Sequence, residues 1–447
     1  MVHAANPVAP IAAHQLLIFL LQAGLLLLLA LLMGRLAMRY KMPAVVGELS
    51  VGVILGPSLL DHVAPGLTHW LLPKEPGQFH LLDASAQIGL LLLVGLTGMH
   101  MDLGLVRRRA ATAAGISIAG LLIPLGLGIG AGYLMPAEFL GTGGHRSVFA
   151  LFLGVAMCVS AVPVIAKTLL DLKLVHRNIG QLTLTAGMVD DAVGWVLLSV
   201  VAAMATTGVR AGDLTMSLVW LVVVIAFAAT IGRPIVRITL GLAARSRDAG
   251  PTTAVCVVIV LLASAATQAM KLEAVFGAFV AGILISSCGG IGPARLGALR
   301  TMVMAVLAPL FFATAGLRMD LTALGRPRVL VATLALLFIA IAGKFAGAYL
   351  GARLNRLNRW EALALGAGMN ARGVVEVVVA MVGLRLGVLG TETYTIVVLI
   401  AIVTSLMAPP ILRTAMSRVE YTAEEQLRKN SHEGSLSAAD GDREMAA

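Results

Sequence analysis

Charged residues are scarce in this chain. They make up 13% of its 447 amino acids, while 59% are hydrophobic. A soluble globular protein is close to half apolar and about one quarter charged, so this composition argues against a soluble fold. A membrane-spanning helix needs ~20 mainly apolar residues, and the chain contains many runs of that length. We therefore predict an all-α membrane protein.

Cysteine is also rare. Cys158, Cys256 and Cys288 are the only three, each lies in or at the end of an apolar run, and none has metal-ligand spacing with a histidine. We expect no disulfide, no metal cage and no cofactor. The N-terminus lacks the basic start of a signal peptide ahead of its first apolar run, 13–33, so we expect that run to remain as a helix.

The formal net charge of +10 comes from basic residues in short breaks between apolar runs, not from a basic stripe. This distribution is typical of the cytoplasmic loops of a membrane protein and argues against nucleic-acid binding. We predict thirteen transmembrane segments. Their approximate bounds are 13–33, 43–60, 84–99, 110–134, 147–170, 178–205, 214–232, 252–270, 273–287, 299–317, 329–350, 361–383 and 393–412.

Basic residues are unequally divided between the two sides of these segments. Roughly 18 follow odd-numbered segments and roughly 8 follow even-numbered ones. The positive-inside rule then places the N-terminus outside and the C-terminus in the cytoplasm. The polar tail, 413–447, has the composition of a disordered cytoplasmic end.

Three blocks of sequence recur in the same order. KMPAVVGELSVGVIL resembles KLEAVFGAFVAGILI, TGMHMDLGLVRRR resembles AGLRMDLTALGRP, and LKLVHRNIGQLTLT weakly resembles LRLGVLGTETYTIV; the blocks start at Lys41 and Lys271, Thr97 and Ala315, and Leu172 and Leu384. The copies are shifted by seven segments, an odd number, so the second copy must be inverted. Inverted repeats are a hallmark of secondary transporters, and chance similarity between apolar sequences is the alternative.

Two adjacent acids, Asp190 and Asp191, lie at the middle of LTAGMVDDAVGWVLLSV, which carries no other charge. A charge near the bilayer centre costs on the order of 3 kcal/mol, so such residues are usually functional and paired. Neighbours on a helix point roughly 100° apart. One carboxylate can therefore line a water-filled cavity while the other meets a different helix. The alternative is a pair of acids that only docks helices.

One lysine could provide the counter-charge. Lys344 is the only charge in FIAIAGKFAGAYLG, and glycines on both sides of it suggest a close helix contact. A lysine that extends to the membrane interface is the alternative. We favour an ion pair between Lys344 and one of the two aspartates.

Two other segments look interrupted at corresponding places in the repeats. Pro163 disrupts GVAMCVSAVPVIAKTLL near its middle, and Asn370, Arg372, Gly373 and Glu376 interrupt GAGMNARGVVEVVVAMVG. Paired interruptions are the best sequence pointer to a transporter's binding site. Arg372 and Glu376 are four residues apart, so we expect them to pair locally and to act mainly as structural residues.

Together these stretches resemble a known family. FLGVAMCVSAVPVIAKTLLDLKL, MVDDAVGW, LAPLFFATAGLRMDL, AGKFAG and ALALGAGMNARGVVEVVV are similar to the bacterial cation:proton antiporters of the sodium/hydrogen exchanger type. The similarity extends to the branch shared with glutathione-gated potassium efflux proteins and plant cation/proton exchangers. It covers approximately residues 34–412.

The resemblance implies an architecture for the transmembrane antiporter domain, 1–412. It implies thirteen helices in two inverted six-helix repeats, with a linker helix at 214–232 and crossed broken helices. A core domain would comprise 110–205 and 329–412. A dimer domain, 13–99 and 252–317, would join two copies as a homodimer in the cytoplasmic membrane.

The resemblance also implies residue roles. Asp191 would bind the monovalent cation or the proton, and Asp190 would pair with Lys344. Backbone carbonyls near Ser160 would complete the cation's oxygen shell. Both acids together with the lysine indicate electrogenic exchange, in which more protons than cations move.

Other functions remain open at this point. A transporter of organic anions could use the same inverted-repeat scaffold but has little need for a buried acid pair. An intramembrane aspartyl protease also uses two membrane aspartates, which come from two different helices. A channel is a further possibility, which the repeat and the counter-charge of Lys344 argue against. The sequence does not distinguish Na⁺ from K⁺ or Li⁺.

Overall fold

The computed structural model describes residues 11–40, 42–72, 76–100, 110–143, 145–207, 211–246, 248–288, 293–423 and 425–426. Within these ranges the chain folds into helices joined by short connections, and the only β-type pairing is one bridge between Leu140 and Leu389. The prediction of an all-α protein is confirmed for this part of the chain.

Nine α-helices form from the described residues of the first half of the chain. They are α1 (Ala13–Arg39), α2 (Ala44–Leu55), α3 (Leu60–Val63), α4 (Pro65–Leu71), α5 (Pro76–Met99), α6 (Ala110–Leu134), α7 (Arg146–Cys158), α8 (Val162–Asp171) and α9 (Asn178–Thr207). The second block of the repeat falls partly outside this description, because residues 101–109 are not among the described ranges.

Ten α-helices form from the described residues of the second half. They are α10 (Ala211–Phe227), α11 (Arg233–Ala243), α12 (Gly250–Ala269), α13 (Ala274–Ser287), α14 (Pro293–Met302), α15 (Ala308–Gly316), α16 (Pro327–Leu354), α17 (Arg359–Met369), α18 (Val374–Arg385) and α19 (Thr391–Met416). Single π-helical turns, Ala228–Gly232 and Val303–Leu307, connect α10 to α11 and α14 to α15.

Eleven helical stretches of the described residues are long and apolar enough to cross a membrane. The number becomes twelve when α17 and α18, which are bent by 44°, are taken as one span. Helix α13 is apolar but has only 14 residues, fewer than the ~20 of a full crossing. It corresponds to the predicted segment at 273–287, so a total of thirteen crossings stays a prediction.

The chain forms two compact units, and the first comprises Met1–Leu93 and Leu299–Leu321. Its core is aliphatic and consists of Leu26, Ala30, Val51, Leu55, Leu82, Leu310, Ala313 and Leu317. An ion pair of 2.7 Å joins Arg318 to Asp83 within this unit. None of the residues predicted to bind the cation belongs to it.

The second unit comprises Val94–Ala298 and Thr322–Ala447, and it contains every predicted site residue. Helix α7 ends at Cys158, and α8 begins at Val162, with Pro163 in its first turn. Proline is accommodated there because a first-turn N–H has no partner within the helix. The predicted division into core, linker and dimer domains stays a prediction.

Helices α6 and α16 pack closely along a row of small residues. Gly343, Gly347 and Gly351 recur every four residues on α16. A Cβ atom on Gly347 would lie 2.5 Å from the carbonyl oxygen of Ala119 on α6. Glycine therefore lets the two backbones approach, as small residues do in membrane helix pairs. The contact brings the helix of Lys344 against α6.

The chain beyond α19 contacts the start of α9. Arg177 donates to the carbonyl oxygens of Val419 and Glu420 at 2.8 and 3.0 Å, and its Nε lies 3.2 Å from Glu425 Oε1. Glu425 also accepts the backbone N–H of Asn178 at 2.6 Å. The first part of the predicted tail is thus held at the cytoplasm-facing end that the sequence predicts for α9. The predicted disorder of 424 and 427–447 lies outside the described residues.

Candidate cation-binding site

The two helix interruptions meet each other. The backbone N–H of Ala161, between α7 and α8, donates to the carbonyl oxygen of Ala371, between α17 and α18, at 3.2 Å. Ser160 Oγ donates to the carbonyl oxygen of Met369 at 2.9 Å. These bonds occupy backbone groups that the ends of helices leave without partners. Four helix ends therefore converge in one place.

Helix α9 packs against this place through glycines on either side of the two aspartates. A Cβ atom on Gly187 would lie 3.0 Å from Ile165 Cδ1 on α8, and one on Gly194 would lie 2.8 Å from Val159 Cγ1. Both glycines lie three to four residues from an aspartate, which is the spacing of one helix face. The absence of side chains there brings the carboxylates close to the interrupted helix.

Asp190 accepts three hydrogen bonds. Its Oδ2 accepts from Lys344 Nζ at 2.5 Å and from Ser160 Oγ at 3.0 Å, and its Oδ1 accepts from Ser117 Oγ. The side chains of both Lys344 and Asp190 have 0% exposure. The structure thus contains an ion pair between Lys344 and one aspartate, and the alternative of a lysine that reaches the membrane interface is wrong.

Asp191 has different surroundings, although it is the next residue. It is 1% exposed, and neither of its carboxylate oxygens accepts a hydrogen bond with ordinary geometry. The backbone N–H of Val162, at the start of α8, faces it. A helix N-terminus carries partial positive charge and favours a nearby anion. Asp191 is therefore a buried carboxylate that the described residues satisfy far less well than they satisfy Asp190.

Arg372 covers the C-terminal end of α7. Its guanidinium donates to the carbonyl oxygens of Ala156 at 2.9 Å and Met157 at 2.5 Å, and to that of Ala340 on α16 at 3.0 Å. The last carbonyls of a helix lack partners within the helix and carry partial negative charge, so a buried cation there is stabilised. Arg372 thus holds the end of one broken helix against α16.

Arg372 and Glu376 attract each other electrostatically, as their spacing of four predicts, although no direct ion pair joins them among the described residues. Glu376 Oε2 accepts the backbone N–H of Gly373 at 2.8 Å and caps the start of α18. Its Oε1, like Oδ1 of the buried Asn370, accepts no hydrogen bond among the described residues. The interruption between α17 and α18 therefore leaves buried oxygens available as well.

Comparison with known proteins identifies the family. Residues 25–418 match a family model described as "Sodium/hydrogen exchanger, transmembrane". The chain belongs to this sodium/hydrogen exchanger family. The resemblance noted from the motifs is confirmed, and members of the family are transporters rather than enzymes. The chain is accordingly a multi-pass membrane protein.

Two curated relatives show how the family match is distributed. The Na(+)/H(+) antiporter NhaS4 of Synechocystis is 30% identical over 402 residues, which cover 89% of this chain and 97% of the relative. Cation/H(+) antiporter 17 of Arabidopsis thaliana is 30% identical over 432 residues, which cover 93% of this chain and 52% of the relative. The chain thus spans nearly all of the exchanger from Synechocystis but about half the length of the plant relatives.

A solved structure shows the same fold. The sodium proton antiporter MjNhaP1 from Methanocaldococcus jannaschii at pH 8 superposes with a TM-score of 0.64 and 15% sequence identity, over 90% of this chain and 99% of that chain. The prediction of an antiporter-type fold is confirmed at this level, and the helix count and the inverted repeat stay predictions.

Several buried polar groups on α6 and α9 were not predicted from the sequence. Ser117 is one serine in an apolar helix, and nothing in its neighbourhood marks it. Trp195 and Ser199 follow Asp191 on one face of α9, and their buried Nε1 and Oγ atoms have no hydrogen-bond partner among the described residues. Their spacing of four residues was visible in the sequence. The ring of Trp195 packs against Phe279 on α13, with centroids 6.0 Å apart.

Proposed function

We propose that this protein exchanges a monovalent cation, Na⁺ or K⁺, for protons across the cytoplasmic membrane, and that Asp191 carries both. The observation that supports this most is the contrast between the two adjacent aspartates. Asp190 accepts three hydrogen bonds, whereas Asp191 is equally buried but faces only the backbone N–H of Val162 and, among the described residues, accepts no hydrogen bond with ordinary geometry. A buried charged group without a partner is costly. Asp191 is therefore a group that a cation or a proton would neutralise.

The exchange follows from competition for one carboxylate. Hard cations prefer oxygen ligands, and a proton binds to the same carboxylate oxygens, so the two occupants exclude each other. Further ligands would come from the buried side-chain oxygens of Asn370 and Glu376 and from backbone carbonyls near Ser160. With Asp191 empty and charged, movement across the apolar barrier is unfavourable. With Asp191 loaded, its charge is balanced and the helices can move.

Asp190 and Lys344 would couple the charge of the site to this cycle. Cation arrival beside Asp190 weakens the attraction between Asp190 and Lys344, and a proton on Asp190 does the same on the return step. If both carboxylates release protons for each cation bound, the exchange moves net charge. We therefore propose electrogenic exchange, which depends on membrane potential.

The proposed movement is alternating access between two domains. The core domain, 110–205 and 329–412, would move against a dimer domain, 13–99 and 252–317, about the linker 214–232. We propose thirteen crossings in two inverted repeats, a homodimer, an external N-terminus and a cytoplasmic C-terminus. The crossed interruptions support this proposal, since discontinuous helices surround the ion sites of many secondary transporters.

The other candidate functions find less support in the site. A protease would need two carboxylates that share one water, but the oxygens of Asp190 are occupied by Lys344, Ser160 and Ser117. An organic-anion carrier would need an available cation, but Arg372 is bound to backbone carbonyls.

Proton flux in proteoliposomes tests the proposal. A pH-sensitive dye reports flux as Na⁺, K⁺ or Li⁺ is added in turn, with the membrane potential clamped or free. We expect cation-dependent flux in the wild type and its loss in Asp191→Asn, because the amide binds neither a proton nor a cation strongly. Electrogenic exchange should also slow when the potential is left free.

The matched control is Asp171→Asn. Asp171 ends α8, and its side chain is 64% exposed in a 3.6 Å pair with Lys167. We expect normal flux from this variant. Normal flux from a folded Asp191→Asn variant would exclude Asp191 as the carrier.

A further inference from the structure

Hydroxyl side chains in the membrane helices of this protein usually bond to their own helix. Thr183, Ser264, Thr314, Thr333 and Thr404 each donate to the carbonyl oxygen four residues earlier, at 2.7 to 2.8 Å. This local bond is the common way for a helix to satisfy a buried serine or threonine. When a hydroxyl donates elsewhere, its acceptor must therefore be stronger than the carbonyl oxygen of its own helix.

Ser117 departs from this pattern. It lies on α6 and has 0% exposure, and its hydroxyl donates across to Oδ1 of Asp190 on α9. Hydrogen bonds to a charged acceptor are roughly twice as strong as neutral ones. The carboxylate of Asp190 has thus drawn this hydroxyl away from its own helix.

The other two donors to Asp190 have alternatives. Lys344 also donates to a backbone carbonyl at 2.5 Å, and Ser160 also points at the carbonyl oxygen of Met369 at 2.9 Å. A hydroxyl has one proton to donate, so Ser160 can serve only one of its two acceptors at a time. Among the described residues, Asp190 is the only acceptor of Ser117.

We propose that Ser117 is a positioning residue for the exchange, one that keeps Asp190 turned towards α6 and out of the cation's shell. This inference rests on the proposed function. The bond at Oδ1 stays in place when Lys344 loosens its contact with Oδ2. Without it, Asp190 can rotate about its side-chain bonds towards its neighbour Asp191 and add a second charged oxygen to the bound cation.

The proposal makes a directional prediction for Ser117→Ala. A second carboxylate oxygen at the cation makes the bound state more stable. Release of the cation then becomes slower. We expect the apparent KM for the cation to fall about fivefold and the maximal rate to fall with it. A merely structural role would lower the amount of folded protein and the rate but would leave KM unchanged.

Two variants control this experiment. Ser117→Thr keeps the hydroxyl, so its KM should equal that of the wild type. Ser264→Ala removes a buried hydroxyl that bonds its own helix at 2.8 Å, and it should leave KM and rate unchanged. If Ser117→Ala does not fold, Ser117→Cys, a weaker donor of similar size, takes its place with the same expected direction.

The outcomes separate this inference from the proposed function. An unchanged or raised KM in folded Ser117→Ala, beside a wild type that exchanges and an Asp191→Asn variant that does not, overturns the role of Ser117 alone. A wild type without cation-dependent proton flux overturns the proposed function itself. A fall in KM that Ser117→Thr reverses supports the positioning role.

Discussion

Two buried ion pairs, one in the middle of α9 and one just before its first residue, have different surroundings. Near the middle of the helix, Lys344 meets Asp190 with no side-chain exposure on either partner. At the start of the helix, Arg177 meets Glu425 with 3% and 2% exposure. A buried ion pair is weak support for stability in general, because desolvation offsets attraction. The surroundings of each pair show what it is suited to do.

The pair at the start of α9 leaves its acid well satisfied. Arg177 also bonds two backbone carbonyls and lies 3.8 Å from the ring centroid of Tyr421. The two oxygens of Glu425 accept the backbone N–H groups of Asn178 and Thr422 at 2.6 and 2.9 Å. The planar fork of arginine suits such fixed, multiple contacts. These contacts together fix Arg177 and Glu425 in one arrangement.

The pair in the middle of the helix offers its cation a second partner. Lysine is a compact charge on a flexible stem, and Lys344 already has a second acceptor in the carbonyl oxygen of Cys158 at 2.5 Å. Its acid is followed by Asp191, which has no such partners. Both pairs are buried, but they differ in the alternative acceptor of the lysine and in the unsatisfied acid beside Asp190. These two properties, and not burial, suit the Lys344–Asp190 pair to the proposed exchange and the Arg177–Glu425 pair to a fixed contact.

Removal of Lys344 should have the largest effect. Lys344→Met leaves Asp190 buried without its counter-charge, and we expect a loss of about 3–5 kcal/mol of stability. The double variant Lys344→Met with Asp190→Asn should recover most of it. Thermal unfolding in detergent measures both. Arg328→Met, which breaks an exposed 3.8 Å pair with Glu138, serves as control. A single variant as stable as wild type would mean that the lysine contributes little.

Substitution at the Arg177–Glu425 pair should have the next largest effect. Arg177→Lys keeps the charge but loses the fork, and we expect a local loss of about 1.5–3 kcal/mol. The tail should then come away from α9 while exchange continues. Limited proteolysis at 417–426, followed with the flux assay, measures this. Unchanged protection of the tail would show that charge alone holds it.

Much of the site was predictable because charge in an apolar helix stands out. The adjacent acids Asp190 and Asp191 and the single Lys344 were visible as charges in otherwise apolar segments, and Pro163 and Gly373 marked the interruptions. Which of the two acids meets the lysine was not decided by the residues themselves, since the rotation of a helix is set by its packing. The family resemblance supplied that choice.

Backbone partners were beyond the reach of sequence. Arg372 and Glu376 attract each other as their spacing predicts, but the hydrogen bonds of each go to backbone groups. Those groups become acceptors and donors only where helices end, so the pattern of side chains cannot show them. Ser117 was missed for a related reason, because its acceptor lies on another helix. The fold class, by contrast, followed from composition.

The close packing of α6 against α16 can be tested at Gly347. A Cβ there would lie 2.5 Å from the carbonyl oxygen of Ala119, so Gly347→Ala must push the helices apart. We expect a loss of about 1–3 kcal/mol and slower exchange, because Lys344 moves with α16. The control is Gly241→Ala on α11, where nothing lies within 4 Å. Equal melting temperatures of the two variants would contradict close packing.

Acid should release the tail, and this is the smallest effect we expect. Burial raises the pKa of Glu425, but the backbone N–H groups of Thr422 and Asn178 and the Arg177 guanidinium outweigh it, so the pKa lies below the ordinary value of 4.5. A lowered pKa in the docked state means that docking is strongest at pH values above the ordinary pKa of the free glutamate. The stabilisation is lost as pH falls through the lowered value.

Anisotropy of a fluorescent label at Gln426→Cys, in a Cys288→Ser background, follows docking as pH is lowered. We expect a constant signal from neutral pH to about pH 5, then a fall. Glu425→Gln should remove that fall and weaken docking at neutral pH. A His176→Gln variant shows whether the ring stacked on Tyr421 contributes. A transition that persists in Glu425→Gln would assign the acid sensitivity to another group.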